Sequence, residues 1–61
     1  MPVVEIKLWR GRDRAQKAEM AKGITEVISN IGKTAPENVH VVFTEVDQEN
    51  WAIAGKLADE E

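Results

Sequence analysis

The sequence predicts an α+β fold built on a βαβ unit, and three observations carry that prediction. Residues 3–9 alternate with period two, residues 14–31 carry an apolar stripe at helical spacing, and residues 39–46 alternate again. The lengths of the two strands match the helix between them, so parallel strands joined by a helical crossover are the simplest arrangement. All 61 residues read as a single domain.

In the first strand Val4, Ile6 and Leu8 point one way, and Val3, Glu5, Lys7 and Trp9 the other, which leaves one firmly apolar face. Gly11 breaks the strand. Asp13 followed three residues later by Gln16 has capping-box spacing and starts a helix near Arg14. Ala21, Ile24, Val27, Ile28 and Ile31 then fall on one stripe, and Gly32 is the expected left-handed stop. A helix over 14–31 measures about 27 Å. Thr34 and Glu37 repeat the capping-box spacing around Pro36, which suggests one helical turn rather than another helix.

Val39, Val41 and Phe43 alternate with His40, Val42 and Thr44 in a second strand running to Val46, roughly 23–26 Å long. Residues 47–50 are polar and turn-like. Residues 51–57 suit a short strand or hairpin with Gly55 at the bend. Asp59, Glu60 and Glu61 read as a solvated, frayed end.

Composition narrows the function classes. There is no cysteine, hence no disulfide, thiolate nucleophile or cysteine-ligated zinc, and one histidine cannot build a metal site. Net charge is −3, which argues against a phosphate-seeking surface for nucleic acid. Apolar runs are far too short for a membrane span and no signal-peptide core follows Met1. The expectation is therefore a cytoplasmic protein without cofactor, nucleic-acid partner or membrane partner. A chain this short, lacking the usual staples, is short of core, so oligomerisation is expected.

Three further features point the same way. Gly23 sits mid-helix, where it costs about 1 kcal/mol against alanine; it is either a tolerated weak residue or a place where a second helix comes close. Trp9 and Trp51 are aromatics that the helix-facing stripe cannot use. A two-stranded sheet covered on one face leaves open edges and a partly apolar second face.

No Ser-His-Asp set, glycine-rich phosphate loop or revealing pair of carboxylates is present. The distinctive residue is Pro2. Proline at a strand start is ordinary, but removal of Met1 would expose its secondary amine. Such an amine serves as a general base when it is uncharged near neutral pH, and an apolar pocket or nearby cations favour that form. Val3 and Val4 follow it, and Arg10 and Arg12 lie close in sequence.

Pro2 with its apolar strand, Gly11-Arg12 before the helix, Gln16-Lys17 in its first turn and Ala35-Pro36 before strand two occur in a fixed order. Thr44-Glu45 at the end of that strand, Trp51, and the tail Ala54-Gly55-Lys56-Leu57 complete the set. With these residues the chain resembles the 4-oxalocrotonate tautomerase family over nearly its whole length. The resemblance implies a homohexamer, a trimer of dimers, each dimer a four-stranded sheet with two helices on one face. Glu5 and Lys7 share the non-helical face of the first strand, where that family's subunits meet, so an intersubunit ion pair is a candidate there.

The resemblance also implies an isomerase in which Pro2 moves a proton from the 2-hydroxyl of a 2-hydroxymuconate-like dienol to carbon. By position Arg12 holds a carboxylate of a dicarboxylate or 2-keto acid substrate, for which a planar guanidinium is well shaped. Trp51 matches the pocket aromatic. His40 departs from the pattern, standing where the family carries a second arginine, and Arg10 is the candidate substitute. Two other readings stay open. One is a hydratase- or dehalogenase-like enzyme acting on unsaturated acids with a cationic Pro2 as general acid; the other is a non-catalytic oligomeric module.

Overall fold

The computed structural model describes residues 1–60. The chain runs β1 (Val3–Trp9), α1 (Arg14–Gly32), a 3₁₀ turn (Pro36–Asn38), β2 (His40–Val46), a second 3₁₀ turn (Gln48–Asn50), β3 (Ala52–Ile53) and β4 (Lys56–Leu57). β1 and β2 are parallel, in register from Val3 opposite His40 to Trp9 opposite Val46. β3 and β4 form a separate antiparallel hairpin. The βαβ unit and terminal hairpin expected from the sequence are both present.

The register sets Val4 beside Val41, Ile6 beside Phe43 and Leu8 beside Glu45. Lys17 of α1 donates its Nζ to Glu45 Oε1 at 3.2 Å, so this is the face that the helix covers. On the helix, Met20, Ala21, Ile24 and Ile28 are half-buried, whereas Val27 and Ile31 are 56% and 78% exposed. The stripe read from the sequence is thus wider than what the chain can cover. Two strands about 4.8 Å apart make a narrow platform for a helix roughly 10 Å across.

Local chemistry decides each helix end. At the start both halves of the capping box form: Gln16 N–H donates to Asp13 Oδ1 at 2.8 Å and Asp13 N–H to Gln16 Oε1 at 3.1 Å. At the other end the expected stop moves by one residue. Gly32 stays helical and Lys33 takes the left-handed cap, with φ 55°. The Lys33 and Thr34 N–H groups both donate to Ser29 O, and Ser29 Oγ donates to Thr34 O at 2.7 Å. These bonds hold the reversal one residue beyond the glycine. The capping box expected at Thr34 does not form; Ala35 precedes the 3₁₀ turn without a side-chain cap, and Pro36 takes its first position.

In the hairpin, Ala54 (φ 55°) and Gly55 (φ 83°) are both left-handed, the geometry of a two-residue type I′ connection. The tail is tied down rather than frayed as far as Glu60, whose carboxylate accepts from Leu57 N–H at 2.7 Å and whose N–H donates to Leu57 O at 3.0 Å. Glu61 lies outside the described residues.

Among the described residues only Leu8 is buried, at 8% exposure. The radius of gyration is 14.5 Å, against about 10.5 Å for a compact chain of this length. The molecule is a slab of 43 × 24 × 14 Å. A side chain built at Gly23 meets nothing within 4 Å, so nothing inside the chain requires glycine there. No helix among the described residues is long and apolar enough to cross a membrane.

Candidate active site

The outer face of the sheet carries Val3, Glu5, Lys7 and Trp9 on β1, with His40, Val42, Thr44 and Val46 beside them on β2. Its two ends differ. At one end Pro2 is half-buried and its carbonyl accepts from the His40 N–H at 3.0 Å. The His40 side chain beside it is exposed, and Met1 is 84% exposed.

At the other end Gly11, with φ 133°, adopts a backbone conformation that side chains disfavour. It reverses the chain so that Arg12 returns beside the end of β1. Trp51 leaves the second 3₁₀ turn and is fastened by its carbonyl accepting from Ala58 N–H at 2.7 Å. The Trp9 and Trp51 rings meet edge to face, centroids 5.9 Å apart at 80°, a favourable arrangement of aromatic quadrupoles. Lys7, Leu8, Trp9, Arg12 and Trp51 line an open cavity of about 230 Å³. Pockets for drug-sized ligands run from roughly 300 Å³ upward, and this one is smaller. Among the described residues the buried Trp9 Nε1–H has no acceptor, which costs about 1–3 kcal/mol where nothing else supplies one.

The five candidates from the sequence therefore fall into separate groups. Arg12 and Trp51 share the cavity. Pro2 and His40 sit together at the opposite end of β1, about 23 Å from Trp9 along an extended strand. Arg10 joins neither group, because its Nε donates to Asp47 Oδ1 at 2.6 Å in an exposed ion pair. The expectation that Arg10 and Arg12 tune Pro2 by proximity fails within one chain, since a fully extended seven-residue strand converts nearness in sequence into distance.

Lys7 and Trp9 line the cavity without having been singled out for it. The signal was available: both have the parity of the outer face, and they are the members nearest the Gly11 turn. Glu5 and Lys7 are both exposed and make no ion pair with each other. No three His, Asp or Glu side chains converge as metal ligands among the described residues.

A sequence profile described as "Tautomerase enzyme" matches residues 2–60. A probable tautomerase of Streptococcus agalactiae is 40% identical over 57 residues, covering 93% of this chain and 95% of that protein. The crystal structure of a 4-oxalocrotonate tautomerase homologue superposes with a TM-score of 0.90 at 34% identity, over 100% of this chain and 98% of that one. A heterohexameric 4-oxalocrotonate tautomerase from Chloroflexus aurantiacus gives a TM-score of 0.93 at 25% identity, over 98% and 97% of the two chains. A β-α-β unit with a terminal hairpin, an aromatic cavity around Arg12, a family profile that matches from Pro2 to Glu60, and relatives that match over nearly the whole chain lead to one assignment: the chain belongs to the tautomerase family and is an isomerase of the 4-oxalocrotonate tautomerase type.

Proposed function

We propose that the mature protein, after loss of Met1, ketonises 2-hydroxymuconate-like dienol acids with the Pro2 amine as general base. The base accepts the proton of the 2-hydroxyl as C2=O forms, and the same proton is delivered to a chain carbon. No oxidant or second substrate enters the balance. Arg12 holds a carboxylate through its forked donors, and Trp51 walls the reacting chain from water. His40, whose backbone N–H donates to the Pro2 carbonyl, offers its imidazole as a donor toward the developing oxyanion. Arg10, already tied to Asp47, steadies the turn that presents Arg12.

The observation that carries this reading is the division of the site. The base lies at one end of β1 and the carboxylate-binding cavity at the other. One copy must therefore lend its Pro2 to the cavity of another. A chain with Leu8 as its buried residue and with Val3, Val27, Ile31 and Val42 exposed has ample apolar surface for that association. We assign the assembly as a homohexamer of paired four-stranded sheets. The high exposure of Met1 leaves it open to aminopeptidase.

The test is ketonisation of 2-hydroxymuconate followed by its ultraviolet absorbance, with intact mass confirming loss of Met1. Pro2→Ala is expected to lower kcat by about 10² or more. Equal rates in wild type and variant would contradict the assignment of the base.

A further inference from the structure

We propose that Lys17 and Glu45 are a positioning pair: their ion pair sets where the first turn of α1 sits on the sheet, and through that turn it places Arg12 at the cavity. This rests on the reading above that Arg12 holds a substrate carboxylate, and it adds the residues that aim it.

The pair stands where the fold's own pattern calls for apolar side chains. On β2 the helix-covered face carries Val41, Phe43 and Glu45. On α1 Lys17, Ala21, Ile24 and Ile28 are half-buried and share one stripe at helical spacing. A carboxylate thus ends one apolar row and a cation begins the other, and they meet, Lys17 Nζ donating to Glu45 Oε1 at 3.2 Å. Their side chains are 28% and 27% exposed, against 61% and 47% for Arg10 and Asp47. Charges taken partly out of water lose hydration that an apolar pair would not, so such a pair is a poor source of stability. What it supplies is direction, because a hydrogen-bonded ion pair has a preferred geometry and apolar contact has none.

Direction is needed at Gly11. A Cβ built there meets nothing within 4 Å, so packing around that residue does not fix the turn. The two ion pairs among the described residues straddle it, Arg10–Asp47 before and Lys17–Glu45 after. The first is exposed, a class of contact worth little. The second is tied to the Arg12 segment by short bonds. Lys17 N–H donates to Asp13 O at 3.2 Å, and the capping box joins Asp13 to Gln16 at 2.8 and 3.1 Å. The residue next to Arg12 therefore moves with the turn that Lys17 anchors. On the sheet side Glu45 is paired with Leu8, which lines the cavity. The pair links the segment carrying Arg12 to a wall of the cavity it serves.

The test separates stability from aim. Lys17→Met combined with Glu45→Leu replaces the pair by apolar contact, and its urea midpoint is expected to equal or exceed that of wild type. The probe is trans,trans-muconate, a dicarboxylate without the 2-hydroxyl. Both tryptophans of the chain line the cavity, so their fluorescence reads occupancy without turnover and without the base. The apolar variant is expected to bind muconate about tenfold more weakly, the scale of one charge-assisted contact. Lys17→Arg, which keeps the pair, should bind as wild type does. In an Arg12→Ala chain the apolar pair should weaken binding no further, because its effect passes through Arg12.

Sedimentation establishes assembly, and Lys17→Leu with Glu45→Met takes over if the first combination is not assembled. Unchanged muconate binding in the apolar variant, or the same further loss in the Arg12→Ala chain, would overturn the proposal. So would a loss of binding accompanied by a fallen urea midpoint, or failure of both combinations to assemble, since either makes the pair merely structural. Arg12→Ala alone separates this idea from the reading beneath it. If that change leaves muconate binding intact, the carboxylate role of Arg12 fails and the pair has nothing to aim. If it weakens binding while the apolar pair does not, the positioning role alone fails.

Discussion

At the scale of single residues, the clearest strain sits at Lys33. Its left-handed backbone, φ 55° and ψ 48°, costs an ordinary side chain about 1 kcal/mol that glycine avoids. Lys33→Gly is therefore expected to stabilise the protein by about 1 kcal/mol, read as a raised urea midpoint at unchanged slope. No bond of the helix end uses the Lys33 side chain; Ser29 carries those contacts. Ser29→Ala removes the hydroxyl donor to Thr34 O and should cost about 1 kcal/mol in the same measurement. The two effects have opposite sign although the residues are four apart, because one relieves strain and the other removes a bond.

Elements differ in how much of them is decided locally. Asp13 and Gln16 face each other across a single turn, so the start of α1 was readable from spacing alone, and Asp13→Ala should cost about 1 kcal/mol of stability by thermal unfolding. The alternation in β1 and β2 likewise follows from period two, and their parallel pairing from matched lengths. The end of α1 was not readable in the same way. Gly32 carried the usual stop signal, but the competing bonds to Ser29 O and from Ser29 Oγ held the reversal at Lys33. Glu60 was missed for a related reason, since its carboxylate folds back onto Leu57 N–H and nothing in composition distinguishes that from a solvated tail.

The candidate site was legible by residue type and illegible by position. Pro2, Arg12, His40 and Trp51 stood out as chemistry-bearing residues, but their grouping into two ends of one strand is a tertiary fact. The cavity needed the Gly11 turn and the chain after β2 to arrive at the same strand end. Lys7 and Trp9 entered it through the strand's parity, and only the arrival of Trp51 on that face shows that this parity matters.

The whole molecule is unfinished as one copy. Among the described residues Leu8 alone is buried, and the slab is 14 Å thin, too little apolar burial to offset the ordering of the chain. Folding is expected to be coupled to assembly, so the urea midpoint should rise as protein concentration is raised over two or three decades. A midpoint independent of concentration would mean that a single copy is stable on its own. Under the proposed function the same incompleteness underlies the chemistry, because Pro2 and the Arg12 cavity lie at opposite ends of β1 and would meet between copies.

That division is tested most directly by complementation. Pro2→Ala and Arg12→Ala chains are each expected to be nearly inactive alone toward 2-hydroxymuconate. Unfolded together in equal amounts and refolded, they should recover activity in about a quarter of sites, because random mixing places an intact Pro2 opposite an intact Arg12 in that fraction. A refolded mixture no more active than either variant would contradict a site shared between copies.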